Sequence, residues 1–235
     1  MISPRLLLCF SAALFVSHTH AAQIAAAGAD TSTTRDAWRT ASVAKRLDAD
    51  GDNVYGTAGY LMFHTGYSGD KFDLRPNVFA NSSEALPSYV TVLPVGAGAS
   101  IGAKNFAMID DPTEPTSDML SGAAIAPGVP LGGEAAMFKL VFKNPPAKGV
   151  RVGVMVNNAV DRNTGAVRLA LDGDVAVTAS HHTAQGARAQ ACYYFFDVTD
   201  LAANATLTLH VTEDATDTNK SGEVRIGGLT FDLLP

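Results

Sequence analysis

Apolar and polar residues alternate in many short segments, and this alternation constrains the fold more than any other feature of the chain. A period of two places successive side chains on opposite faces of a β-strand, whereas an amphipathic helix repeats its apolar residues every three or four positions. Gly, Pro, Asn and Asp interrupt the segments, and hardly any window has the helical spacing. The pattern predicts an all-β protein, an antiparallel β-sandwich or barrel. The clearest predicted strands are 60–64, 89–95, 137–142, 150–156, 167–171, 175–179, 192–198, 207–211 and 224–231.

Residues 1–21 have the features of a secretory signal peptide. Arg5 supplies a basic flank, an apolar run follows over 6–16, and Thr19 and Ala21 match the small residues of a cleavage site. The apolar run is shorter than the roughly 20 residues that a membrane-spanning helix needs. We therefore expect a secreted, periplasmic or extracellular protein with no membrane span.

The remainder of the chain is long enough for one sizeable domain, which we expect over residues 33–235. Residues 22–32 are rich in alanine and predict a flexible lead-in. Residues 110–134 are rich in Pro and Gly and lack periodicity, which predicts a long surface loop. Cys192 is the only cysteine after the signal peptide, so it is interpreted as a buried apolar side chain rather than half of an intrachain disulfide.

The charge of the chain limits its partners. The net charge is −6, and Lys and Arg form no cluster along the sequence. Nucleic acids and anionic membrane surfaces are bound mainly by basic patches. We therefore expect neither as a partner.

Three aspartates stand at every second position before the first predicted strand. Asp48, Asp50 and Asp52 offer carboxylate oxygens on a glycine-containing turn, and hard oxygen ligands are what Ca²⁺ prefers. The segment is not an EF-hand, because Gly59 occupies the position of the bidentate glutamate. Two interpretations stay open, a structural Ca²⁺ site and a solvated acidic turn.

Two short motifs match patterns of catalytic serines. Ser100 lies in a G-x-S-x-G segment, and Ser42 lies in an S-x-x-K segment that ends at Lys45. Both patterns require a helix after the serine, and the sequence predicts none there. An esterase that uses Ser100 with one of the histidines is kept as an alternative, and no catalytic residue is predicted; the histidines are His181, His182 and His210. The pair at 181–182 is interpreted as exposed loop residues.

Several segments resemble secreted bacterial β-sandwich modules of the galactose-binding-like, jelly-roll type. They are "TTRDAW" (33–38), "YGTAGY" (55–60), "LPSYV" (86–90), "VRVGVMVNNAVDRNTGAVRLAL" (150–171) and "YYFFDVTDLAANATLTLHV" (193–211). Asp36 departs from the glycine usual in the first of these motifs. The resemblance implies an antiparallel jelly roll and carbohydrate or cell-surface binding. Within the motifs, Trp38, Tyr60 and Tyr89 are interpreted as anchors of the core or of turns.

We accordingly expect a non-catalytic binding module whose partner is an extracellular glycan or another cell-surface component. Recognition of a sugar needs an aromatic face and a few polar side chains that bind hydroxyls. Tyr55 and Tyr67, which flank the first predicted strand, are the candidate ligand-binding aromatics, and Ca²⁺ is the only candidate cofactor. A structural envelope or matrix protein without a small ligand is the third interpretation.

Overall fold

The structure is a computed structural model that describes residues 21–31, 55–63, 82–95, 100–102, 109–110, 119–120, 123–156, 164–182, 192–216 and 222–235. Within these ranges the regular structure is all strand, and no helix is long and apolar enough to cross a membrane. The strands are β1 (Gln23–Thr31), β2 (Gly59–Phe63), β3 (Ser82–Ala85), β4 (Val90–Pro94), β5 (Ser100–Gly102), β6 (Ile109–Asp110), β7 (Met119–Leu120), β8 (Ala123–Pro127), β9 (Glu134–Phe142), β10 (Val150–Val156), β11 (Thr164–Leu171), β12 (Asp174–His182), β13 (Cys192–Thr199), β14 (Ala205–Glu213), β15 (Glu223–Ile226) and β16 (Gly228–Leu233).

Two antiparallel sheets contain most of these strands. Sheet A has the order β1-β13-β10-β16-β2-β3, and sheet B has the order β12-β11-β14-β9-β4. A three-stranded sheet, β15-β8-β5, and the β6-β7 pair complete the described strands. The chain crosses between the two large sheets at β3 to β4, β9 to β10, β10 to β11, β12 to β13 and β13 to β14, so distant sequence segments become neighbours.

The core lies between sheets A and B, as in a β-sandwich. Every second residue of β10, from Val150 to Val156, and the corresponding residues of β14, Leu207 to Val211, belong to one buried apolar cluster. The rings of Phe63 in sheet A and Phe138 in sheet B stack with their centroids 5.4 Å apart. Burial of each such side chain contributes about 1.5–3 kcal/mol, so this layer is the main source of stability.

The all-β, antiparallel prediction is confirmed, and the period-two segments form strands close to the predicted bounds. One segment differs, because 224–231 divides at Gly227 into β15 and β16, which belong to different sheets. Gly227 donates its N–H to the carbonyl of Met155, and its own carbonyl accepts the N–H of Phe63. The chain therefore changes its pairing partner at this glycine while its apolar run continues.

Two predicted irregular segments contain strands. Residues 23–31 are not a flexible lead-in, because they form β1 and pair with β13 along the edge of sheet A. The predicted loop at 110–134 contains β8, which pairs with both β15 and β5. Ala124, Ile125 and Val129 in that segment are buried. Both predictions failed because alanine, glycine and proline carry little strand signal, whereas backbone pairing needs no particular side chain.

Candidate functional site

Tyr55, a predicted ligand-binding residue, lies on the outer face of sheet A, against the sheet itself. Its ring is half-buried, and the ring centroids of Phe195 and Tyr193 lie 4.7 Å and 5.5 Å away. Tyr193 and Phe195 point to this face because they alternate with the core residues of β13, Tyr194 and Phe196. One face of the Tyr55 ring is thus used in packing.

The turn that carries Tyr55 is held by the carboxylate of Asp232. That carboxylate accepts the N–H of Gly56 at 3.0 Å, and it accepts both the N–H of Thr57 at 2.7 Å and its hydroxyl at 2.8 Å. Gly56 has a φ of +76°, a left-handed conformation that favours glycine. The "YGTAGY" motif that carries the family resemblance therefore has a structural role, since it attaches a turn to sheet A.

Tyr89, in the "LPSYV" motif, anchors the chain before β4. Its ring stacks on Phe142, with the centroids 6.4 Å apart, and packs against the core. Burial, together with the charge of Asp232, raises the pKa of Tyr89 to about 12.

His181 and the backbone of Ser100 both belong to strands, β12 and β5. His181 is half-buried rather than exposed, and its Nε2 lies 2.8 Å from the backbone carbonyl of Phe195, across the gap between the sheets. Ser100 begins β5 and pairs with Ile125, whereas a nucleophile elbow places its serine on a turn between strand and helix. His182 is exposed, as predicted, but both histidines lie in β12 and pair with β11, so the predicted loop is wrong.

The other predicted site residues lie outside the described residues. These are the three aspartates of the proposed Ca²⁺ loop, Asp48, Asp50 and Asp52, and the aromatic Tyr67. The part of the chain that the structure describes contains no group of three or more His, Cys, Asp or Glu side chains suited to hold a metal ion. The Ca²⁺ site stays a prediction.

An open groove of about 450 Å³ lies on the outer face of sheet B. Its residues come from rows that cross the strands, and one row runs from His182 through Ala166 and Thr212 to Glu134. Ala166 in the middle of this row has a small side chain, which leaves a depression between its larger neighbours. The volume lies within the range of small-molecule sites, roughly 300–1,000 Å³. We refer to this depression as the sheet B groove.

The segment after β14 closes one end of the sheet B groove. Asp214 accepts the N–H and the hydroxyl of Thr216, both at 2.8 Å, which fixes a tight turn there. This turn packs against Gly165, where a Cβ would lie 3.0 Å from the Cα of Asp214. Glycine at 165 therefore allows the two backbones to approach and gives the groove its end wall.

Arg168 and Glu134 form the main charged pair of the groove. The guanidinium binds both carboxylate oxygens, with Nε 2.9 Å from Oε1 and Nη2 bonded to Oε2. Their side chains are 30% and 36% exposed, so a ligand in the groove can reach both. The hydrogen bond from Arg168 lowers the pKa of Glu134 and, in return, raises the pKa of Arg168.

His210 lies between the Arg168–Glu134 pair and a second ion pair, Lys139–Asp172. Its Nδ1 lies 3.2 Å from Oε2 of Glu134, and burial together with the charge of Arg168 lowers the pKa of His210. Asp172 lies further along the same face and accepts hydrogen bonds from Lys139, at 2.8 Å, and from the hydroxyl of Thr208. The network holds the charged side chains of this face in fixed positions.

The sheet B groove offers hydrogen-bond donors and acceptors in fixed positions. Arg168 supplies N–H groups, Ser180 is its cross-strand neighbour and supplies a hydroxyl, and Glu134 supplies acceptor oxygens. Ion pairs and turns hold these groups in place. The arrangement is suited to binding a polar molecule by hydrogen bonds.

Sequence reasoning missed the sheet B groove. Arg168 and Glu134 are 34 residues apart in sequence and belong to no motif. They meet only because β14 pairs with both β9 and β11. The one available signal was the position of charged residues on the polar face of predicted strands, which is also the pattern of a solvated surface.

Comparisons with known proteins assign this chain to no family. No protein-family model matches the chain, and neither does any curated protein. Among solved structures, the chain is similar to the enzymatically active domain of tailspike protein 4 from bacteriophage CBA120, with 16% sequence identity and a TM-score of 0.35. The similarity covers 63% of this chain and 20% of that chain, so this chain spans about a fifth of its length. A likeness of this size carries no argument about function.

Proposed function

We propose that this protein is a secreted, non-catalytic binding module that holds a saccharide in the sheet B groove. The observation that carries the proposal is the groove itself, about 450 Å³ in volume, with an accessible Arg168–Glu134 pair beside hydroxyl groups. Sugar hydroxyls both donate and accept hydrogen bonds, so a site with fixed donors and acceptors matches them. The described residues that line the groove include no Phe, Tyr or Trp ring, so the proposed contact is made by hydrogen bonds and not by the aromatic face expected from the sequence. Secretion and the glycan partner rest on the signal peptide and on the family resemblance.

The resemblance to galactose-binding-like modules agrees with the two-sheet antiparallel architecture, and a jelly roll of that type is part of the proposal. The groove lies on the outer face of sheet B, away from the "YGTAGY" turn on sheet A. Tyr55 packs on Phe195, so we assign it a structural role first and the sugar contact to the groove.

Filling the sheet B groove tests the proposal. We expect Ala166→Leu to weaken saccharide binding by about tenfold or more, equivalent to ~1.4 kcal/mol, because the larger side chain occupies the depression. Ala176→Leu is the matched control, since Ala176 is exposed on the polar face of β12 beyond the groove. Binding is measured on a glycan array and then by calorimetry with the glycan that gives the strongest signal.

The outcomes separate the alternatives. If Ala166→Leu binds as the wild type does while Tyr55→Ala loses binding, the ligand site is the Tyr55 turn on sheet A. If the wild-type protein binds no glycan and instead associates with itself, the structural envelope or matrix interpretation replaces the proposal.

A further inference from the structure

The fork of the Arg168 guanidinium is already occupied by a carboxylate of the same chain. The Glu134 carboxylate accepts hydrogen bonds from Nε and Nη2 of Arg168, in the two-point geometry by which arginine binds carboxylate ligands. A guanidinium has five N–H donors, so three remain for a ligand in the groove. Glu134 thus stands where the acid group of an acidic sugar would bind.

The charge balance of the pair adds to this effect. Glu134 balances the positive charge of Arg168 through the two-point contact. Burial and the charge of Arg168 lower the pKa of His210, which disfavours a compensating positive charge on the imidazole beside Glu134. The pair therefore offers no net positive charge to attract a second negative charge.

We propose that the sheet B groove is selective for uncharged saccharides, and that Glu134 is the residue that determines this selectivity. Glu134 fills the arginine fork and balances its charge, so a uronate, sialic acid or sulfate finds neither a partner nor a favourable field. A neutral sugar needs no counter-charge and binds the three free N–H groups, the Ser180 hydroxyl and the carboxylate oxygens. This inference rests on the proposed function and names the ligand class of the same site.

Removal of the Glu134 charge tests the selectivity as a gain of binding. Glu134→Gln keeps the size of the side chain and loses its charge, and Glu134→Ala empties the arginine fork. We expect acidic glycans to gain at least about tenfold in affinity, the lower range of a hydrogen bond to a charged group, with Glu134→Ala above Glu134→Gln. Asp172→Asn is the matched control. It removes one negative charge from the same face, but Asp172 is the partner of Lys139 and not of Arg168.

The measurement is an array that carries neutral, uronate-bearing, sialylated and sulfated glycans, read for the wild type and the three variants. Binding of neutral glycans by the wild type, with acidic glycans gained only in the Glu134 variants, supports the proposal. Binding of acidic glycans by the wild type at least as strongly as neutral ones overturns the selectivity and leaves the proposed function standing. Binding of no glycan by the wild type or any variant overturns the proposed function and the selectivity with it.

The stability of each variant is checked by chemical denaturation before the array is read. A Glu134→Gln protein that unfolds at the same denaturant concentration as the wild type, and that gains no acidic glycan, contradicts the role of Glu134 directly.

Discussion

Gly153 is a position where one missing side chain decides the packing of sheet A. A Cβ at this residue would lie 2.1 Å from Oγ1 of Thr230 and 3.1 Å from the Phe195 ring. Thr230 is the cross-strand partner of Gly153, and Phe195 is its partner on the other side. The absence of a side chain at 153 therefore lets Thr230 and Phe195 close over β10, and Tyr55 then packs on Phe195.

We expect Gly153→Ala to destabilise the protein by about 1–3 kcal/mol, the usual cost of overpacking a tightly packed position. The Thr230 hydroxyl is the nearest clashing group. Thr230→Ala, which removes that hydroxyl, is therefore combined with Gly153→Ala in a double-mutant cycle to test whether the clash causes the loss of stability. The measurement is the free energy of unfolding in urea. Full additivity of the two substitutions would show that the cost does not come from Thr230.

The join between β1 and β13 shows how an element of weak sequence signal is held in place. The register of the pair shifts between Ala26 and Ala29, so Phe195 has no pairing partner in β1. His181 of β12 lies 2.8 Å from the carbonyl of Phe195 and places its ring against Tyr194 and Phe196. A side chain of sheet B thereby satisfies a backbone group that the bulge in sheet A leaves unpaired.

Replacement of His181 should loosen this edge of the sandwich. We expect His181→Leu to lower the free energy of unfolding by about 0.5–1.5 kcal/mol, since one hydrogen bond to a partly buried carbonyl is lost. His182→Leu is the control, because its side chain is exposed. Amide exchange should become faster in β1 and β13 of the His181 variant. Equal exchange in the two variants would contradict the bridging role.

Strands with side chains in the core were predictable from sequence, and strands held mainly by backbone pairing were not. Residues 150–156 were predicted with the bounds that β10 has, because alternate valines enter the core. Four of the nine residues of β1 are alanine, and among those whose side chains the structure describes, Ile24 alone packs against the core cluster. Pairing with β13 gives this segment its structure, and that partner lies far along the chain. The groove was hidden for the same reason, since Arg168 and Glu134 meet through strand pairing.

Over the whole molecule, the charged network of sheet B links stability to pH. Burial and the charge of Arg168 lower the pKa of His210 below 6.5, while Glu134 and Asp172 partly offset the shift. The hydrogen bond from Arg168 lowers the pKa of Glu134. The pKa of Asp172 is also lowered, because the hydrogen bonds from Lys139 and Thr208 outweigh the opposing effect of burial. All three shifts make the native state bind protons less readily than the unfolded state does.

Stability should therefore fall as the solution is acidified. The contribution of His210 is fully present above its unfolded pKa of 6.5 and is lost as the pH falls through its lowered folded pKa. The carboxylate contributions are present above 4.5 for Glu134 and 3.8 for Asp172, and are lost at lower pH. We expect the free energy of unfolding in urea to be smaller at about pH 5.5 than at about pH 7.5.

His210→Gln should reduce the difference between these two pH values, because the half-buried imidazole no longer titrates. His182→Gln is the matched control, since it removes an exposed imidazole from the same face of sheet B and should leave the difference close to that of the wild type. If the His210 and His182 variants lose the same stability on acidification, the pH dependence arises elsewhere in the molecule. A free energy that rises on acidification would contradict the direction of the His210 shift, and with it the arrangement of Arg168 and Glu134 around this histidine.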